Sequence, residues 1–139
     1  MYQKLKTFSV TKYLYSGIIA GSVAAVLNNL YNSMYSSLTS FAIASVINPI
    51  SISLGSVIPM IVAAVVYFGL VKITTKALLV FVIGTALFSL LSIAGPLASQ
   101  LPDGSPTPHG FAALTIPMHI ISGFCAIFII PRVVAAEAK

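Results

Sequence analysis

Four stretches of this chain, at about residues 13–31, 53–71, 77–97 and 111–130, contain no Asp, Glu, Lys or Arg. Each is close to the 20 or so apolar residues that cross a bilayer at about 1.5 Å rise per residue. Backbone groups inside hydrocarbon have no water to bond, so such stretches satisfy their own N–H and C=O groups as helices. Barrel strands would need a polar residue at every second position, and runs such as "ALLVFVIG" lack it. Only 6% of the chain is charged and its mean hydropathy is +1.05, whereas a soluble surface takes roughly 25% charged residues. The expected fold is therefore an all-α membrane protein. It is a single domain over residues 1–139, with four transmembrane helices in an antiparallel bundle, and its first partner is the lipid bilayer.

The placement of charge predicts a topology. Threaded from a cytoplasmic N-terminus, the chain keeps Lys4, Lys6, Lys12, Lys72, Lys76, Arg132 and Lys139 inside, which is all seven of its Lys and Arg residues. The outer loops carry only the acidic Asp103. Positive residues stay on the cytoplasmic side during insertion, so both termini are expected to be cytoplasmic. The basic pI near 9.6 then reflects topology and attraction to anionic lipid rather than a nucleic-acid footprint. Lys4, Lys6 and Lys12 ahead of the first stretch, with Ser22-Val23-Ala24 inside it, also resemble a secretory leader and its cleavage site. Three further stretches of the same kind favour a retained first helix.

The connections differ in kind. "KITTK" is a tight turn that makes helices two and three neighbours. Residues 32–52 form a long outer connection whose "FAIASVI" suits a short strand, an interfacial helix or a plug. Asn48-Pro49 marks a turn there, and Ser53 is the expected N-cap of helix two. "SQLPDGSPTPHG" is dense in Pro and Gly and is expected to be a stiff extended cap. Pro59 and Pro117 each lie about six residues into a helix, an echo of duplication that two prolines alone carry weakly, and each frees carbonyls for other donors.

Stripes on the helices point to an interior. Gly17, Gly21, Ala25, Asn29 and Ser33 recur every four residues, a small-residue ribbon that lets backbones approach closely, within the bundle or across a dimer. Asn28, Asn29 and Asn32 make its outer end polar. Thr85, Ser89, Ser92 and Pro96 share a face of helix three, and Thr115, His119, Ser122, Gly123 and Ala126 share a face of helix four. His119 lies about 12 Å below the outer end of its helix at 1.5 Å per residue. A histidine there is either a satisfied structural residue or a functional one that carries a proton or holds a ligand. Asn28, Asn29, Ser89, Ser92 and His119 are the candidate ligand-binding set, with Gly17, Gly21 and Ala25 as helix-packing residues.

Enzyme chemistry finds little to use. The chain has no GxSxG, HExxH or CxxC, no paired carboxylates, and two acids in all, neither in a span. His109 and Cys125 are the only other soft ligands available to His119, and a metal site needs more. The expectation is no enzyme, no metal and no cofactor.

The second helix opens "SISLGSV", the third ends "SIAGPL", and the fourth reads "TIPMHIISG" with a closing "IIPR". In this order the chain resembles a domain-of-unknown-function family of small bacterial four-helix integral membrane proteins, with Met118-His119 in the last helix and Pro131-Arg132 at its close. The resemblance implies a bacterial cytoplasmic (inner) membrane and four helices, and no activity. Two functions remain open. One is an outward-facing polar pocket that binds or passes a small molecule or lipid. The other is a non-catalytic accessory or structural subunit of a larger membrane complex or homo-oligomer.

Overall fold

The computed structural model describes residues 5, 7, 9–41, 43, 46–101 and 104–136. Four helices organise them: α1 (Val10–Thr39), α2 (Pro49–Ile73), α3 (Ala77–Ser92) and α4 (Phe111–Ala136). Among the described residues there is no strand, only an isolated bridge between Gln100 and Pro106. Helices α1, α2 and α4 are long and apolar enough to cross a membrane, so the chain is an all-helical protein with membrane-like spans. Lys4, Lys6, Asp103 and Lys139, on which part of the charge pattern rests, lie outside the described residues.

The ends of these helices depart from the sequence expectation, each for a local reason. Helix α1 runs on to Thr39 and stops where Ser40 turns left-handed (φ 57°), its N–H bonding the Ser36 carbonyl at 2.9 Å. Most of the expected 32–52 loop is thus helix. Helix α2 starts at Pro49, not at Ser53. Asn48 Oδ1 accepts from the N–H of Ile50 and Ser51, while Ser51 Oγ accepts from the Asn48 N–H, which closes a capping box. Ser53 instead donates to the Pro49 carbonyl at 2.6 Å, inside the first turn. Proline at the first helical position loses nothing there, because that N–H has no helical acceptor.

Helix α3 is the largest departure, ending at Ser92 rather than Leu97. Its 16 residues span about 24 Å at 1.5 Å each, short of the ~30 Å hydrocarbon core. The cause is Gly95-Pro96, since a residue before proline is pushed out of the helical region. Ile93 and Ala94 already bond carbonyls three residues back, at 3.2 and 3.1 Å, and the chain continues in turns to residue 98. The following loop is not simply extended. Leu101 N–H bonds Ser105 O, and Thr107 clasps Ser99 and Ala98 through its N–H and hydroxyl.

Helix α1 packs chiefly on α2 and then on α4, while α3 lies at the side against α2 and α4. The α1–α2 contact is close because Gly17 sits against Met60, Ile61 and Ala64, and Gly21 against Val57 and Met60. Neighbours on α2 fall in number as α1 rises, from Ala64 beside Gly17 to Ser53 beside Asn29. One core cluster gathers Tyr13, Tyr67, Val71, Ala77, Phe81, Ile130 and Val134 at one end of the molecule. All four described Lys and Arg residues, Lys12, Lys72, Lys76 and Arg132, belong to helix ends at this same end. A smaller cluster of Ile52, Leu114 and Met118, flanked by Tyr31, Tyr35, Phe41 and Ile47, closes the other end. Large apolar side chains such as Val26, Leu30, Ile58, Leu87 and Phe124 stay exposed, as expected of surfaces that meet lipid rather than water.

Candidate functional site

Where α1, α2 and α4 meet, the interior is polar. Asn28 is 3% exposed, and its Nδ2 donates to Ser56 Oγ of α2 at 3.0 Å and to Ser122 Oγ of α4 at 3.1 Å. Both amide hydrogens are then committed, and the carbonyl oxygen Oδ1 is buried with no partner among the described residues. The next residue of α1, Asn29, donates to its own helix at the Ala25 carbonyl (2.8 Å) and to Ser53 Oγ (3.2 Å). Four helical residues therefore stitch α1 to α2, at Asn28–Ser56 and Asn29–Ser53.

His119 closes a second contact, between α4 and α3. Its Nδ1 lies 2.9 Å from Ser92 Oγ, and Ser92 donates to the Ser89 carbonyl at 2.7 Å. A hydroxyl has one proton to give. With that proton directed at Ser89, the imidazole supplies the other, so Nδ1 carries the hydrogen and Nε2 is left as an acceptor. Helix α3 comes this near because Gly123 has no side chain: a Cβ there would collide with Ser89 Oγ. His119 and Ser122 sit one turn apart on α4, so the two contacts form a continuous seam. It runs from Ser53 and Ser56 on α2, through Asn28 and Asn29 on α1 and Ser122 and His119 on α4, to Ser92 and Ser89 on α3.

The seam lies beneath an aromatic lid. Pro117 lacks an N–H, which frees the Ala113 carbonyl four residues earlier, and Tyr31 donates its hydroxyl to that carbonyl at 2.9 Å. Tyr35 donates to Gly110 O at 3.1 Å. Gly110 (φ +95°) is obliged to be glycine twice over, by its backbone angle and by Tyr35 and Phe41 packed against it. Beside Asn29, an open groove of about 320 Å³ is lined by Ala25, Val26, Asn29, Leu30, Ser33 and Ser53.

The candidate residues thus divide. Asn28, Asn29, Ser89, Ser92 and His119 all reach the seam, and His119 meets α3's Ser92 rather than the asparagines of α1. Gly17 and Gly21 pack within the chain, while Ala25, 8% exposed, borders the open groove. The partners missed in the sequence are Ser53 and Ser56 of α2. Their three-residue spacing on one helix face was the available signal, masked by the apolar residues around them. Cys125 is buried in the core cluster, and no group of three or more His, Cys, Asp or Glu converges among the described residues. Chemically the seam presents one free acceptor, Asn28 Oδ1, a second at His119 Nε2, and serine hydroxyls that can turn. No family model matches the chain, and neither a curated protein nor a solved structure matches it.

Proposed function

We propose that the chain is a multi-pass protein of the bacterial inner membrane, an antiparallel bundle with both termini cytoplasmic, whose polar seam binds or passes a small hydrogen-bond donor such as an amine or hydroxyl compound, or a lipid head group bearing one. Its likeness to the bacterial four-helix family belongs to the same proposal. The observation that carries it is the orphaned Asn28 oxygen. A buried acceptor without a donor costs about 1–3 kcal/mol, and such an atom calls for an explanation, here a guest that completes it. Ser92 and His119 are within hydrogen-bond reach, but the Ser92 proton is directed at the Ser89 carbonyl rather than at the imidazole, so the reading is of binding rather than catalysis. The open groove beside Asn29 favours the second reading, in which a helix of a partner or of a second copy lies against Ala25, Asn29 and Ser33.

Topology is tested by reporter fusions. A reporter after Lys139 or between Lys72 and Lys76 should read cytoplasmic, and one between Leu101 and His109 should read external. A cytoplasmic signal from the last position would remove the four-span arrangement. Binding is tested by thermal unfolding of the full chain in nanodiscs with added ammonium, ethanolamine or glycerol. At least one should raise the melting temperature of the native chain and leave Asn28→Ala unmoved. No shift with any of the three would sink the donor-binding reading.

His119 has its own test. His119→Gln should fold, because an amide N–H can still donate to Ser92, whereas His119→Leu should lose roughly 0.6–1.7 kcal/mol, the range for interhelical bonds in membranes. If donor binding survives His119→Gln, the residue is structural. If it is lost from a folded protein, the imidazole itself meets the guest.

A further inference from the structure

At the opposite end from the seam, a cavity of about 240 Å³ opens between the last turns of α2 and α4 and the first turn of α3. Its lining is apolar except at two points: Leu5, Val71, Ala77, Leu78, Pro131 and Ala135 form walls around Tyr67 and Thr75. Tyr67 is 3% exposed and packs its ring on Phe81 and Tyr13 at 4.8 and 5.8 Å. Its hydroxyl takes no hydrogen-bond partner among the described residues, although the residue lines the cavity. The rim carries a second unmet demand. Helix α3 begins at Ala77 after Lys76, which gives no side-chain cap; the Lys76 N–H bonds Thr74 Oγ1 at 3.2 Å, and the next N–H groups lie at the positive end of the helix dipole.

We propose that this cavity holds one anionic phospholipid, its phosphate at the N-terminus of α3 beside Lys76 and an upper acyl segment in the slot that Tyr67 floors. Charge complementarity selects this occupant. The described Lys and Arg residues all belong to helix ends at this end, and the whole chain carries a formal net charge of +5. Anionic helix-end binding needs free amides and a positive dipole, while the apolar walls require a tail, which free phosphate lacks. Tyr67's hydroxyl then donates to the ester region, the one polar part of a lipid at that depth. Lys72 and Arg132 are turned over the rings of Phe68 and Phe128, whereas Lys76 lies in sequence between Thr75 and Ala77, two residues that line the cavity. The proposal rests on the membrane reading above, but not on which leaflet this end meets nor on the seam.

The test is lipid retention by the full chain, measured by native mass spectrometry. The protein is released from nanodiscs of mixed phosphatidylglycerol and phosphatidylcholine with identical acyl chains. One phosphatidylglycerol should be retained in preference to phosphatidylcholine. Lys76→Gln should weaken retention about fivefold, the effect of one basic residue at a charged lipid surface. Tyr67→Phe, which keeps the ring and removes the hydroxyl, should weaken it about fivefold as well. Ala135→Phe should fill the slot and abolish retention, and Arg132→Gln should leave it unchanged. Equal retention of the two lipids would overturn the proposal, as would retention unaffected by Lys76→Gln, a surface change that leaves folding intact. A chain that enters no nanodisc at all would instead overturn the membrane reading.

Discussion

Gly21→Ala should loosen the contact between α1 and α2, with Gly17→Ala close behind. A Cβ at position 21 would lie 2.7 Å from Val57 Cα, and one at position 17 would lie 2.8 Å from the Met60 carbonyl oxygen. Those neighbours are backbone atoms and cannot swing aside as a flexible side chain would, so α1 and α2 must separate. Overpacking costs about 1–3 kcal/mol, and here separation also strains the Asn28–Ser56 and Asn29–Ser53 bonds on the same interface. Gly55, Gly69 and Gly84 are the internal controls, because nothing lies within 4 Å of a Cβ at any of them. Alanine there should be neutral or stabilising by up to about 1 kcal/mol, the helix-propensity gain. Val23→Leu, at a 40% exposed position, should also be tolerated. Thermal unfolding in one detergent separates the two groups. Equal stability for Gly21→Ala and Gly55→Ala would refute the close approach.

That contrast also marks how far the sequence could be read. The four-residue ribbon from Gly17 named the close-approach face, because spacing alone places small residues in line. It did not say which helix fills the face, and it grouped Ala25 and Ser33 with glycines they do not resemble in use. Burial in hydrocarbon penalises every ion, and three of the four stretches read from the absence of charge are helices long and apolar enough to cross a membrane, while the third of them is shorter. Helix ends were not legible, because hydropathy is blind to caps: Asn48 outcompetes Ser53 through a two-way hydrogen bond, and Gly95-Pro96 shortens α3 despite apolar residues on both sides. Within the site, the polar faces of α3 and α4 were visible, and His119 does meet Ser92. The share of α2 was invisible because Ser53 and Ser56 are common helix-surface residues whose meaning arises only when Asn28 and Asn29 are set opposite. Register between helices is a property of pairs, and a single chain pattern carries it weakly.

Asn28→Asp should destabilise the folded protein by about 2.5–3.5 kcal/mol at neutral pH, the penalty for an aspartate at the centre of a membrane helix. The exchange is nearly isosteric, so the loss is electrostatic rather than steric. Nδ2 now donates to Ser56 and Ser122, and a carboxylate has no hydrogen to give. The serine hydroxyls can reorient toward it, but no described Lys or Arg is near to balance the charge, since all of them lie at the far end of the helices. Acidification should restore stability, because a protonated carboxyl regains one donor and keeps one acceptor. The variant also sharpens the donor-binding reading. A guest that completes the Asn28 oxygen should reverse the loss when it is a cation, so ammonium should stabilise Asn28→Asp by more than it stabilises the native chain, while glycerol should not. Unfolding curves at neutral and acid pH, with and without ammonium, decide the matter. If Asn28→Asp is as stable as the native protein at neutral pH without any guest, the position is wet, and the oxygen that carries the proposed function has water for its partner.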